Sequence, residues 1–193
     1  AGLSQKSHDI TTDGEAGTAD GEVPSGTMRV LTIEDESDLA VLRASSTDLS
    51  LAALQSDEYD RLAELMVATV THPSQDGVGI AAPQVGINRR IVAVQRFDKE
   101  GEPFEVYPNI RIVWASDSVA LGPEGCLSVP DRRGDVLRSQ EIIIEYADMK
   151  AANAAKETIP IVRDTISGFT AVIFQHEVDH LEGVLYIDRL DQR

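Results

Sequence analysis

The sequence predicts one α+β domain in which mostly antiparallel strands surround a single central helix near the C-terminus. The candidate strands follow one another along the chain and do not alternate with helices, which favours antiparallel sheets. Residues 167–182 begin as a segment that is apolar nearly all round, as expected of a buried helix. The chain has 193 residues, of which 42% are hydrophobic and 26% charged, so it can bury a sizeable core.

The N-terminal segment, residues 1–27, is rich in Gly, Ser, Thr and Asp and has almost no large apolar side chains. Such a segment cannot bury enough surface to offset its ordering entropy. We therefore expect a flexible polar and acidic extension, followed by a single catalytic domain over residues 28–193. The domain opens at Met28 and soon becomes acidic, with Glu34, Asp35, Glu36 and Asp38. We expect these carboxylates to form a solvated face and not a metal site.

A helix is predicted to begin near Ser56 and to end before Pro73. Ser56 or Asp57 can cap its first turn, which also contains acidic residues that suit a helix N-terminus. Apolar or small side chains then recur on one face, at Leu62, Leu65, Met66, Thr69 and Val70. This face is expected to pack in the core.

Residues 77–86, with the sequence GVGIAAPQVG, are expected to form a loop of small residues. The alternate glycines lack the third glycine of a dinucleotide-binding fingerprint, and no clear strand comes before them. The glycines are expected to let the backbone approach another group closely.

Several later segments alternate or concentrate β-branched and aromatic residues between turns, which predicts strands. They are residues 91–94, 104–107, 110–114, 118–121, 141–146 and 158–162.

The formal net charge of −16 and the pI near 4.5 exclude some partners. A field of this sign repels phosphate, so we expect no direct binding to nucleic acid or to anionic membranes. A local basic patch of Arg132, Arg133 and Arg138 is the one candidate exception. No apolar run is long enough to span a bilayer. The single cysteine, Cys126, excludes an intrachain disulfide, and a lone thiol is most often a small buried apolar residue.

The motif H-E-V-D-H at residues 176–180 indicates a metal site. With roughly 3.6 residues per turn, His176 and His180 lie on one face of a helix, and Glu177 flanks that face. Two imidazoles can hold a divalent metal, and a carboxylate beside it can move the proton of an activated water. The alternative is a pair of solvent-facing histidines. The apolar run over residues 169–174 argues against that alternative, because it indicates a buried helix.

A catalytic metal site usually has three protein ligands, so a third must come from elsewhere. The protease pattern H-E-x-x-H-x-x-G-x-x-H is matched at Gly183, but Tyr186 stands where its last histidine should be. A downstream carboxylate would have to be Asp188 or Asp191. Cys126 is the other candidate, because a thiolate with two imidazoles is an established catalytic set.

Three stretches taken together resemble the peptide deformylase family. They are GVGIAAPQ at residues 77–84, EGCLS at residues 124–128 and QHEVDHL at residues 175–181. The resemblance implies an α+β fold with the motif helix at its centre. It also implies a metal-dependent hydrolase that removes the formyl group from the N-terminal formyl-methionine of newly made polypeptides and releases formate.

The resemblance also implies roles for individual residues. Cys126, His176 and His180 would bind the metal, Glu177 would be the general base and then the general acid, and the Gln84 side chain and the Leu127 backbone N–H would stabilise the oxyanion. The substrate side would be formed by Val78, Gly79, Gly125, Arg133, Val172 and Ile173. Arg132 is adjacent to Arg133 and could take its role. Asp179 is either a partner of the metal ligands or a helix-surface residue.

The expected cofactor is one divalent transition metal per chain, with Fe(II) as the native ion and Zn, Ni or Co as alternatives. The expected partners are formyl-methionyl N-termini of nascent polypeptides, close to the ribosome, in a bacterial-type cytoplasm or an organelle. The chain ends shortly after His180, so the longer C-terminal helix that many members use near the ribosome is expected to be absent or reduced. Two other functions stay open: a zincin-like peptidase, and a non-catalytic domain with a structural metal.

Overall fold

The computed structural model describes residues 26–150 and 158–192. Most of the predicted N-terminal extension therefore lies outside the described residues. The helices are α1 (Glu36–Arg43), α2 (Leu51–Leu54), α3 (Asp57–Thr71) and α4 (Gly168–Leu181), with short 3-10 helices at Ala82–Val85 and Tyr186–Arg189. The strands are β1 (Gly79–Ala81), β2 (Ile91–Gln95), β3 (Phe104–Pro108), β4 (Arg111–Ala115), β5 (Val119–Cys126), β6 (Val129–Ser139), β7 (Glu141–Ala147) and β8 (Ile161–Ser167).

Within the described residues the strands form three antiparallel sheets, in the orders β1-β2-β3, β4-β7-β8 and β5-β6. Each neighbouring pair within a sheet is antiparallel, and consecutive strands such as β2 and β3 pair directly. The predicted α+β class with mostly antiparallel sheets is therefore confirmed.

Helix α4 packs between the sheets. It contacts β1 and β2 of the first sheet, β8 of the second and β6 of the third. Its buried side chains include Ala171, Phe174 and Leu181, which belong to the same core cluster as strand residues of β2 and β7. This confirms a buried central helix. Its first turn is the exception: Phe169 is 59% exposed, contrary to the expectation that residues 169–174 are buried throughout. None of the described helices is long and apolar enough to cross a membrane.

Helix α3 matches its prediction closely. The Ser56 hydroxyl caps it by accepting a hydrogen bond from the Tyr59 N–H, and the helix ends at Thr71, just before Pro73. Leu62, Met66 and Val70 are buried on its inner face. Helix α3 thus forms one wall of the core that supports β1.

The acidic stretch after residue 33 differs from its prediction. It forms helix α1, with Asp35 as N-cap accepting from the Asp38 N–H. Asp38 is only 6% exposed, because it accepts two hydrogen bonds of 2.8 Å from the Arg29 guanidinium and one from the Thr32 N–H. The expectation of a solvated face is wrong for this residue. A buried carboxylate is tolerated here because a charged partner and a backbone donor satisfy it.

Three further segments differ from prediction. The predicted loop at residues 77–86 contains strand β1 and a 3-10 helix, and the last strand covers Ile161–Ser167 where residues 158–162 were expected. Strand β6 was not predicted. It carries Asp131, Arg132 and Arg133, which are exposed, and it exists because its backbone pairs with β5 over most of its length. Such pairing overrides low intrinsic strand propensity.

Candidate metal centre

A cavity of about 730 Å³ opens between the β1 strand, the β5–β6 hairpin and helix α4. All the site residues predicted from the sequence line it except His180, which lies buried behind it. Those lining it are Val78, Gly79, Gln84, Gly125, Cys126, Leu127, Arg133, Val172, Ile173, His176 and Glu177. The fold therefore brings segments far apart in the chain to one cavity.

Cys126, His176 and His180 form a group that could hold a metal ion. One ligand atom from each lies within 4.8 Å of the other two. The Cys126 Sγ atom is 3.4 Å from the His180 Nε2 atom, and the two imidazole centroids are 5.3 Å apart. One thiol sulfur and two imidazole nitrogens favour a divalent transition metal and exclude calcium and magnesium.

Local structure explains why these three side chains meet. The two histidines are four residues apart on α4, so they are one turn apart on the same face. Cys126 ends β5, where the register with β6 shifts between Glu124 and Cys126. Such an irregularity changes the direction of the following side chain, and the hairpin contacts α4 through β6.

Glu124 is the most important site residue that the sequence analysis did not identify. One of its oxygens, Oε1, lies 2.8 Å from the His176 Nδ1 atom. The same carboxylate accepts two hydrogen bonds of 2.8 and 2.9 Å from the buried Arg138 guanidinium. Burial alone would raise the pKa of Glu124, but Arg138 and His176 outweigh it and lower that pKa to about 2. A permanent carboxylate therefore orients the His176 ring, as outer partners of metal-binding histidines do. The sequence signal that could have identified Glu124 is its position as the first residue of the E-G-C-L-S stretch.

Asp179 belongs to the same network. It accepts a 2.7 Å hydrogen bond from Arg138 and another of 2.7 Å from Arg189. Of the two alternatives for Asp179, this arrangement disfavours a free helix-surface residue. It favours a residue that supports the candidate metal ligands through its hydrogen-bond partners. Arg138 is buried between Glu124 and Asp179, so it does not contribute to the exposed basic patch that was considered. Arg132 and Arg133 remain at the cavity mouth.

Glu177 lies on α4 beside the metal-binding group and is only 4% exposed. Burial raises the pKa of its carboxyl to about 7. Its Oε1 atom is buried with no hydrogen-bond partner among the residues described. A carboxyl with these properties can both accept and release a proton near neutral pH.

The two histidines differ in their electrostatic surroundings. Burial lowers the pKa of His180 well below its usual value, so its ring is neutral and able to coordinate. Burial acts in the same direction on His176, but Glu177, Cys126 and Glu124 outweigh it and raise the pKa of His176. A raised pKa means that His176 binds a proton more readily in these anionic surroundings. The same surroundings suit a bound cation, which would displace that proton from the ring. The chemistry of the donor set thus fits a transition metal.

Gln84 and Leu127 offer hydrogen-bond donors to the cavity. The Gln84 amide Nε2 atom lies 3.5 Å from the Cys126 Sγ atom. Leu127 follows Cys126 directly and lines the same cavity. These are the positions expected of donors to an oxygen atom near the metal-binding group.

The other candidate third ligands are engaged elsewhere. The Tyr186 ring stacks on the His176 ring at a centroid distance of 5.9 Å, and its hydroxyl donates to the Arg132 carbonyl. Asp188 pairs with Arg43. Neither Asp188 nor Asp191 belongs to the metal-binding group found among the described residues. Cys126 is the residue that the fold brings to the two histidines.

The backbone at Gly79 passes so close to Glu177 that only glycine fits. A Cβ atom there would lie 2.6 Å from the Glu177 Oε2 atom and 2.9 Å from the Ile173 Cγ2 atom. We expect Gly79→Ala to displace Glu177, to lower activity, and to reduce the free energy of unfolding by about 1–3 kcal/mol, as overpacking does. Urea denaturation and activity assays measure both effects.

Gly122→Ala is the matched control for that substitution. Nothing lies within 4 Å of a Cβ atom at Gly122, which is also on a strand. We expect its unfolding free energy to change by less than about 1 kcal/mol and its activity to stay as in the wild type. Equal effects of the two substitutions would contradict the close approach at Gly79.

Comparisons with known proteins agree with one another. A sequence model described as polypeptide deformylase matches residues 27–193. A peptide deformylase of Leptospira biflexa is 36% identical over 158 residues, covering 78% of this chain and 82% of its own length. Peptide deformylase 2 of Gloeobacter violaceus is 37% identical over 155 residues, covering 79% of this chain and 75% of its own.

Solved structures give the same result. A class I type b peptide deformylase from Acinetobacter baumannii, in a K3U-bound crystal structure, superposes with a TM-score of 0.73 at 34% identity. The match covers 85% of this chain and 99% of that one. A peptide deformylase from Thermotoga maritima gives a TM-score of 0.69 at 30% identity, covering 84% of this chain and 97% of the other.

Proposed function

The chain belongs to the polypeptide deformylase family, and from this membership we propose which of its residues carry out the reaction. The protein is a metal-dependent hydrolase that removes the formyl group from N-terminal formyl-methionine and releases formate. The observation that carries the assignment of residues is the meeting of Cys126, His176 and His180 beside the buried Glu177.

Cys126, His176 and His180 would hold the metal, with Fe(II) proposed as the native ion. When bound, such a metal supplies Lewis acidity and lowers the pKa of water near it. Glu124 keeps the His176 ring in place through its contact with Nδ1, and Arg138 holds Glu124 in turn. The imidazole is therefore oriented for coordination before the ion arrives.

Glu177 is proposed to move the proton. A pKa of about 7 allows its carboxylate to take a proton from the attacking water at neutral pH. The water oxygen forms a bond to the formyl carbon, and the same carboxyl then gives that proton to the nitrogen of methionine as the C–N bond breaks. The second proton of the water leaves with formic acid, which ionises to formate. A free amino group is the other product, and Glu177 returns to its starting state.

Gln84 and Leu127 are proposed to stabilise the negative charge that develops on the formyl oxygen. The Gln84 amide supplies a side-chain N–H and Leu127 a backbone N–H, both from walls of the same cavity. Donors fixed before the reaction need no reorganisation when the charge appears, which is why they lower the barrier.

The remaining cavity residues are proposed to bind the substrate. Ile173 and Val172 on α4, with Val78, offer apolar surface for the methionine side chain. Gly79 lets the peptide backbone approach β1 closely. The Arg133 guanidinium packs near Gly125: a Cβ atom added at Gly125 would lie 3.0 Å from the Arg133 Nη1 atom. Arg132 also lines the cavity. Both arginines are therefore available to the peptide.

The proposed substrates in the cell are formyl-methionyl N-termini of nascent polypeptides, met near the ribosome in a bacterial-type cytoplasm or an organelle. The bacterial relatives support this proposal. A zincin-like peptidase is disfavoured, because the residue grouped with the two histidines is a cysteine and not a histidine or carboxylate.

The function is tested by formate release from formyl-Met-Ala-Ser with anaerobically prepared protein. We expect rapid hydrolysis of this peptide, none of acetyl-Met-Ala-Ser, and none of casein. The acetyl peptide is the matched control, since it differs only by a methyl group on the scissile acyl carbon. Cleavage of casein without formate release would contradict the proposal and favour a peptidase.

A further inference from the structure

We propose that Ser128 is a positioning residue that orients the carboxamide of Gln84 towards the formyl oxygen. The inference rests on the role of Gln84 in the proposed function. It concerns a buried hydroxyl that contacts a predicted donor of the site.

The Gln84 carboxamide is held at both ends. Its Oε1 atom accepts a 2.9 Å hydrogen bond from the Ala81 backbone N–H. Its Nε2 atom donates to the Ser128 Oγ atom at 3.1 Å. The contact with Ala81 requires an oxygen and the contact with Ser128 is met by an N–H, so the amide has one orientation.

This orientation decides what the amide offers to the cavity. An amide nitrogen carries two hydrogens, and Ser128 takes one of them. Nε2 is also 3.5 Å from the Cys126 Sγ atom, so the amide nitrogen faces the thiol side of the cavity. With the amide reversed, an oxygen lone pair would face the developing negative charge and oppose it.

Ser128 is well placed to act as a rigid support. Its exposed fraction is 0% and that of Gln84 is 1%, so water does not compete for their contact. The backbones of Gln84 and Ser128 also accept hydrogen bonds from one segment, residues 31–33. The Leu31 N–H donates to the Gln84 carbonyl at 2.7 Å, and the Ile33 N–H donates to the Ser128 carbonyl at 3.0 Å. This segment holds the two loops together, and the hydrogen bond from Gln84 to Ser128 fixes the Gln84 side chain relative to both.

The experiment is a double-mutant cycle of Ser128→Ala and Gln84→Ala, with steady-state kinetics on formyl-Met-Ala-Ser. We expect Ser128→Ala to lower kcat about 10-fold with little change in KM, less than the roughly 10²–10³-fold typical of losing a donor outright. In the Gln84→Ala background the same substitution should change kcat less than about 2-fold, because its only route of action is gone.

Two further measurements separate positioning from a structural role. Metal content and the unfolding midpoint of Ser128→Ala should stay near those of the wild type. Ser46→Ala is the matched control, since Ser46 is also a buried serine but does not line the cavity, and we expect its kcat to be unchanged. An equal loss of kcat from Ser128→Ala with and without Gln84 would overturn the proposal. The function itself is judged separately, by wild-type formate release.

Discussion

Replacing Glu177 with glutamine is expected to lower formate release by about 10²–10⁴-fold, the usual contribution of a general acid–base group. Glutamine keeps the size of the side chain and its buried place on α4, but it cannot take a proton. The carboxyl is 4% exposed and burial raises its pKa to about 7, so the variant loses a buried group that can exchange a proton at neutral pH. Metal content should be retained, because Glu177 is not one of the three candidate ligands.

Formate release at saturating peptide measures this effect, together with metal analysis of the same preparation. Glu64→Gln is the matched control: it removes one carboxylate from the exposed face of α3 and should leave the rate unchanged. A Glu177→Gln enzyme that keeps more than about a tenth of wild-type kcat would show that another group moves the proton.

Replacing Cys126 with alanine is expected to have the largest effect on metal binding. The substitution removes one of three donors that lie within 4.8 Å of one another. Affinity for the ion should fall by more than the roughly 10–100-fold typical of losing an outer partner of a ligand. Added metal should raise the unfolding temperature of the wild type, because it binds the folded state, and should not raise that of Cys126→Ala.

Anaerobic chelator competition and thermal unfolding with and without Zn²⁺ or Co²⁺ measure this loss. The matched control is Asp188→Asn, which tests the carboxylate once considered as the third ligand. Asp188 pairs with Arg43 and lies outside the group, so its variant should bind metal as the wild type does. Normal binding by Cys126→Ala, or loss of binding by Asp188→Asn, would contradict the assigned ligand set.

The candidate site could be proposed from the sequence because the residues assigned to it lie in three short motifs. Spacing along a helix places His176, Glu177 and His180 without further information. Donor chemistry makes Cys126 one candidate for the third ligand. The three motifs, which occur together in the order typical of one family, favour Cys126 over the others and add Gln84. Glu124 and Ser128 were not assigned roles, although both lie within the quoted motif at residues 124–128. Their roles depend on contacts with residues far along the chain, His176 and Gln84.

The fold was predicted where local pattern and tertiary structure agree. Helix α3 has a cap, a periodic apolar face and a terminating proline, and its bounds follow from these. Strand β6 and helix α1 were missed because charged side chains interrupt the apolar pattern of both segments. Their charges are tolerated by pairing: Asp38 with Arg29, and Arg138 with Glu124 and Asp179. The paired residues are 9 to 41 positions apart in the chain, so the pattern within a single helix or strand does not reveal the pairing.

The sequence by itself determined the class of fold, the central helix with its two histidines and carboxylate, and a short set of candidates for the third ligand: Cys126, Asp188 and Asp191. Only the tertiary structure decided that Cys126 meets the histidines while Tyr186 and Asp188 are engaged elsewhere. It also decided that Glu177 is buried, which raises its pKa, and that Glu124 orients His176. The physical reason is the range of the interactions. Helical periodicity acts over four residues, whereas burial and hydrogen bonding at this site depend on segments separated by tens of residues.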